Sequence, residues 1–256
     1  MIRTLVQFSQ LVDLKMVAVG VLAIGSTYAC LRFEVVVDMP LELAGIAIVF
    51  PIVFSIGQAF QRRELALSAL AEFSANLQAL ALAHRDWPAS ESATHEARAR
   101  GILATLDRDV REMLRAPSVE LDARVRASYS DLSESIERIR VEGQVAPTEI
   151  SRVNQYLKLT IATTEQMKNI SIYRTPRALR SFTRVFLTIF PIVFGPYFAF
   201  LAASSFPAVG YGIAILYTIV LVGLDNIQEG LENPYDGIGV DDIDLEASSA
   251  PATNAS

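Results

Sequence analysis

Few residues in this chain could carry out proton-transfer or ligand chemistry. His84 and His95 stand eleven residues apart with Pro88 between them, and neither has a partner at zinc-site spacing, so they read as packing or surface histidines. A second group is acidic. Eight acids and no base lie between residues 225 and 246, where Asp241, Asp242 and Asp244 could offer oxygens to a hard cation. The same segment could equally be solvated and docked on neighbouring arginines. A third pattern is apolar: Ile46, Phe50 and Phe54 recur every four residues, so on a helix they form one ridge rotated by only about 40° per step. Such a ridge beside Pro51 suits a constriction that admits or excludes water and ions, and it also suits a packing or lipid-facing stripe.

The elements that hold these residues follow from where charge is missing. The chain has 256 residues, 52% hydrophobic and 20% charged, with a mean hydropathy of +0.34. This composition excludes a disordered chain and a purely soluble enzyme. Of the 22 Lys and Arg residues, 18 fall between residues 62 and 180, while residues 185–224 hold no charge at all. That uncharged run is twice the ~20 residues one helix needs to cross a bilayer. Four spans are expected: residues 16–31, 43–61, 185–203 and 208–224, the last two divided at Ser204-Ser205-Phe206-Pro207. No Asp, Glu, Lys or His lies inside them, which counts against pumps and ion-coupled transporters. Asp13 and Lys15 interrupt the lead-in to the first span, so no cleaved signal peptide is expected. Cys30 is the single cysteine, which leaves no intrachain disulfide. A net charge of −6 argues against nucleic acid as a partner.

Orientation follows from the bases. The loop of residues 32–42 has one base and three acids, whereas Arg62, Arg63, Arg177, Arg180 and Arg184 border the other side, which the positive-inside rule makes cytoplasmic. Both termini are then cytoplasmic. Residues 62–180 read as helical: the second span continues as one Ala- and Leu-rich helix until Pro88, Ser90 caps a helix through Leu114, Ser118 one through Arg140, and Thr148 one to about Ile172. Leu121, Val125, Tyr129, Leu132 and Ile136 give one of them a buried stripe.

The sequence after the fourth span, Gly223-Leu224-Asp225 through Asn233-Pro234-Tyr235 to Asp241-Asp242-Ile243-Asp244-Leu245-Glu246, resembles the signature of the bestrophin family. The Ile46, Phe50, Phe54 ridge with Arg62 eight residues after the last Phe is similar to that family's pore neck, and residues 170–176 resemble its lower cytosolic aperture. The resemblance implies an all-helical membrane protein in which two transmembrane hairpins (residues 1–61 and 181–224) flank a cytosolic bundle (62–180) and precede an acidic segment (225–256). It also implies a homopentamer around a central pore. It implies a neck of Ile46, Phe50 and Phe54, an aperture at Ile172 and Thr175, and a calcium-clasp-like segment of Asn233, Asp241, Asp242 and Asp244. Ile238 or Gly239 stands where the first clasp Asp belongs, so the expectation is conduction without calcium dependence and no required cofactor.

The function expected is passive ion conduction, with chloride as the first ion and no enzymatic activity. Its partners are membrane lipid and small inorganic ions, and its place is an inner or plasma membrane. The alternative is a membrane-anchored scaffold or signalling protein whose cytosolic helices bind a partner. A membrane enzyme using the Asp241-Asp242-Ile243-Asp244 cluster is a weaker third.

Overall fold

The computed structural model describes residues 13–38, 41–173, 177–204, 206–237, 239 and 242–246, with side chains left out at 41–49, 51, 177–180, 182 and 183. Among the described residues there are eight helices and no strand: α1 Leu14–Arg32, α2 Leu41–Asp86, α3 Ser92–Arg115, α4 Val119–Val141, α5 Pro147–Ile172, α6 Arg177–Val193, α7 Gly195–Ser204 and α8 Pro207–Leu231. They fall into two compact bodies. One holds Met1–Gln61 with Thr175–Glu232, and the other holds Arg62–Arg174 with Asn233–Ser256.

The first body contains helices long and apolar enough to cross a membrane, near Leu14–Arg32, Arg184–Ser204 and Pro207–Leu231, and α2 supplies the fourth. α1 starts before Lys15 because the Asp13 side chain accepts from Met16 N at 2.8 Å and caps it. It packs on α6, α7 and α8. Ile52 of α2 joins Leu187, Phe194, Phe198, Ala214 and Leu221 in a second apolar cluster. Phe186, Phe190 and Phe194 stack at four-residue spacing, with centroids 5.4 and 5.3 Å apart, and Phe198 continues the row as a tilted ring at 6.4 Å.

That aromatic ladder runs across a break the sequence did not announce. The third span was expected to be one helix over residues 185–203, but α6 ends at Val193 and α7 begins at Gly195. Pro196 has no N–H, so the carbonyl of Ile192 loses the donor four residues on. Ser26 of α1 takes that place, its Oγ donating to Ile192 O at 2.7 Å. Gly195 permits the approach, since a Cβ there would lie 2.2 Å from Ser26 Oγ and 3.1 Å from its carbonyl carbon.

At the far end of these helices a buried charge ties three of them. Asp225 of α8, whose side chain is only 5% exposed, accepts from Lys15 of α1 and lies 3.8 Å from Arg184 of α6. Arg184 also reaches Glu229, one turn further along α8, at 2.9 Å. A buried carboxylate needs such partners, because an unpaired charge away from water is strongly destabilising.

The second body is a helical bundle. From Arg62 on, α2 buries Ala66, Ala69, Leu70, Phe73, Leu77, Leu80 and Ala83, a stripe at three- and four-residue spacing. Leu103, Leu106 and Val110 of α3, Leu132 and Ile136 of α4 and Val153 and Met167 of α5 complete one core with it. Ser118 caps α4 by accepting from Leu121 N at 3.1 Å. Two expected caps are corrected. Ser90 does not cap α3; its Oγ donates to Glu142 O while Ala89 N donates to Gly143 O, and left-handed Glu91 (φ 52°) precedes the helix. Gly143 is needed in that pairing of turns, since a Cβ would stand 2.9 Å from Pro88 Cβ. Thr148 does not cap α5 because Pro147 takes the first helical position, where its missing N–H costs nothing, leaving Ala146 as the cap residue.

Ser26→Ala should cost about 1 to 3 kcal/mol, the desolvation penalty of a buried carbonyl left without a donor. Gly195→Ala should cost more, since its clash reaches Ser26 backbone. Melting of the purified protein in detergent checks both; a Ser26→Ala variant as stable as the parent would remove the Ser26 bond from the account.

Candidate functional site

The residues singled out by sequence lie on three elements. On α2, Phe50 is 75% exposed and Phe54 54% exposed, whereas Ile52, Ser55 and Ala59 are 1%, 0% and 1% exposed. At 100° per residue these sets occupy opposite sides of the helix, so Phe50 and Phe54 are turned away from the core of their own chain. Ile46 belongs to α2, but its side chain falls outside the described residues.

The second element is the end of α5. Ile172 is its last residue and is 47% exposed, and Tyr173 follows in an extended conformation (φ −90°, ψ 105°) at 70% exposure. Thr175 lies outside the described residues. The last carbonyls of a helix have no donor within it, and here Arg62 supplies one: its Nη2 donates to both Ile170 O and Tyr173 O. An open groove of about 470 Å³ runs beside this contact, lined by Arg62, Leu65, Glu165, Gln166, Asn169 and Tyr173.

The third element is the acidic segment. Tyr235 (1% exposed), Ile243 (7%) and Leu245 (2%) anchor it in the bundle core. The Tyr235 hydroxyl donates to Ala66 O at 3.0 Å, and Ile243 N donates to Pro234 O at 2.8 Å. Burial pushes the Tyr235 phenol up, and the Arg62 charge acts against that shift. Arginines of α3 hold the segment's end: Arg111 donates to Leu245 O, and Arg115 pairs with Glu246 at 3.1 Å.

Of the clasp residues the sequence suggested, Asn233, Asp242 and Asp244 are among those described, and Asp236 joins the first two. Asn233 Nδ2 donates to Asp236 Oδ2, and Gly239 N donates to Asp242 Oδ2, each at 3.0 Å. Asp236 also acts on Asp242 directly. Asp244 Oδ1 instead accepts from Glu246 N at 2.9 Å, and Asp241 lies outside the described residues. Asn233 Oδ1 and Asp242 Oδ1 are buried without a partner. Calcium takes six to eight oxygens, and no group of three acidic, His or Cys residues suited to a metal occurs among the described residues. Asn233, Asp236 and Asp242 by themselves offer fewer side-chain oxygens than that. Burial raises the Asp242 pKa above the usual carboxylate range, with Asp236 adding to the shift and Gly239 N opposing it.

His84 and His95 are both fully buried in the second body. His84 Nδ1 bonds Leu80 O at 2.8 Å, and its pKa is lowered by burial and by His95. They pack the bundle and form no cluster with a third metal-ligating group among the described residues.

Comparison with known proteins supplies the frame for these positions. A crystal structure of a bacterial bestrophin homologue from Klebsiella pneumoniae, carrying one Ile-to-Thr substitution, superposes with a TM-score of 0.77 at 14% identity, covering 91% of this chain and 94% of that one. The chain adopts the bestrophin fold. An Asp-to-Ala form of the Klebsiella homologue gives a TM-score of 0.77 at 15% identity, covering 91% and 93%. A third structure of that homologue covers 91% and 93% at 14% identity, with the same TM-score. No family model matches the sequence, and no curated relative matches it.

Sequence reasoning missed Asp236 and the role of Arg62 within this bestrophin fold. Asp236 is one of the eight acids of residues 225–246 but lies outside the Asp241–Glu246 cluster, and only its place two residues after Pro234 marks it. The spacing of Arg62 after Phe54 is visible in the sequence, but its acceptors are backbone atoms more than a hundred residues away.

Asp242 yields a pH test. Its folded pKa is raised above 3.8, so the fold favours the protonated form; stability is fully present below 3.8 and is lost as pH rises through the folded value. Asp242→Asn should therefore melt at a higher temperature than the parent at neutral pH, and the gain should vanish as pH falls below 3.8. A constant or negative difference across that range would contradict the pairing.

Proposed function

We propose that this chain is the subunit of a bestrophin-like homopentameric channel that conducts ions passively, anions first, through a neck lined by Ile46, Phe50 and Phe54. The observation that carries the reading is the exposure of Phe50 and Phe54 on the face of α2 opposite the buried Ile52, Ser55 and Ala59. Two large rings turned away from their own core need another environment. A pore axis surrounded by copies of the same helix supplies one, and the likeness to bestrophin homologues supports it.

In this reading the protein sits in an inner or plasma membrane with both termini cytoplasmic. An apolar neck limits flow by failing to stay wet. Phe ring edges carry the positive end of the quadrupole and can face an anion that has shed part of its water. Ile172 and Thr175 would form the cytosolic aperture. Asp225 at the end of α8 holds helices together in its ion network, which leaves no membrane-depth carboxylate for proton coupling among the described spans. Calcium has no required part in this proposal, because the Asn233, Asp236 and Asp242 set offers too few oxygens.

Mass measurement in detergent should give five copies, and a stable monomer or dimer that still conducts would overturn the model. In a bilayer, replacing Ile46, Phe50 and Phe54 together with Ala should raise the current. Were the ridge a packing element, the same change would instead cost about 3 to 5 kcal/mol per ring and break assembly. Normal assembly with unchanged current would reject the neck. Chelating calcium should leave current unaltered; strong activation by micromolar calcium, lost in Asp242→Ala, would show that the acidic segment holds the ion.

A further inference from the structure

We propose that Arg62 is a positioning residue for ion selection: its guanidinium clamps the backbone on both sides of Ile172 and thereby sets the width of the cytosolic constriction. The inference rests on the channel reading above, and in particular on the placement of the aperture at the end of α5.

Three observations converge on it. Arg62 Nη2 donates to Ile170 O and to Tyr173 O, and these two carbonyls bracket Ile172. α5 ends there, so the carbonyl of Ile170 has lost its helical donor, and Tyr173 has already turned to extended backbone. Meanwhile Ile172 and Tyr173 keep 47% and 70% of their side-chain-bearing surface exposed. The backbone is fixed while the side chains project freely. A constriction needs that arrangement, because a ring of side chains can discriminate among ions only if its diameter does not wander.

The clamp is also attached to something rigid. Arg62 stands on α2, one uninterrupted helix from Leu41 to Asp86, and eight residues after Phe54. One turn further along, Ala66 O accepts from the buried Tyr235 hydroxyl. Arg62 and Ala66 are four residues apart and share a face, so the end of α5 and Tyr235 of the acidic segment are fastened to successive turns of α2. Arginine suits the task better than lysine, since its planar fork presents donors in fixed directions and remains charged at any accessible pH.

Arg62→Gln removes the charged donor from both carbonyls. Hydrogen bonds to charged groups are the strong class, so the population in which the Ile172 segment is released should rise about tenfold or more. Permeability ratios among anions of different size, read from reversal potentials in a bilayer, should then collapse toward their ratios of mobility in water. Arg62→Lys, whose ammonium can still reach one carbonyl, should restore part of the discrimination. Both variants are sized and melted on the preparation used for recording. Unchanged permeability ratios in assembled Arg62→Gln would overturn the proposal, and so would loss of assembly in both variants, which would assign Arg62 to folding instead. A parent protein that fails to conduct sinks the channel reading itself. A conducting parent with indifferent Arg62 variants sinks only this one.

Discussion

Backbone carbonyls that cannot find a donor inside their own helix govern this structure. In hydrocarbon no water can replace a missing donor, and at a helix end four carbonyls are left over by geometry. The chain closes them with side chains from distant segments. Ser26 serves Ile192, which Pro196 deprives of its partner. Arg62 serves Ile170 in the last turn of α5 and Tyr173 just beyond it, and Arg111 does the same for Leu245, a carbonyl of the acidic segment outside any helix. Each bond crosses more than a hundred positions of sequence, so each converts a local deficit into a tertiary constraint.

α2 gains its importance from the same logic. It presents the Phe50 and Phe54 ridge in its first half and the core stripe of Ala66, Leu70, Phe73, Leu77 and Leu80 in its second. Arg62 stands between them and Ala66 opens the stripe, and there the end of α5 and Tyr235 attach. The helix thus carries an exposed aromatic pair, the Arg62 fastener and a buried stripe in succession, and its Ala- and Leu-rich composition keeps it unbroken over 46 residues.

Much of this was legible from the chain alone, and the reasons are specific. Charge gaps located the spans because a charged side chain at membrane depth is costly. The absence of Gly and the density of Ala and Leu after Gln61 predicted that α2 would run on to Pro88, and it ends at Asp86. The Leu121 to Ile136 stripe is buried on α4, Tyr129 in part. Other features were hidden because they depend on partners remote in sequence. The break at Phe194 depends on Ser26 answering the donor that Pro196 lacks, a partner 166 residues from Ile192 that no local pattern marks. Ser90 and Thr148 have the chemistry of caps, yet Ser90 is recruited by Glu142 O and Thr148 is pre-empted by Pro147. In the acidic segment, spacing pointed to Asp244, whereas the turn after Pro234 places Asp236 against Asp242.

The central claim is that the exposed face of α2 at Phe54 borders the path of the ions. Cys30 is the chain's single cysteine, so Phe54→Cys in a Cys30→Ala background leaves one thiol to label. A charged, membrane-impermeant thiol reagent applied during bilayer recording should change the current abruptly and irreversibly as it places a fixed charge in the neck. Phe54→Cys channels that conduct and are stoichiometrically labelled, yet show the same current before and after, would contradict the account.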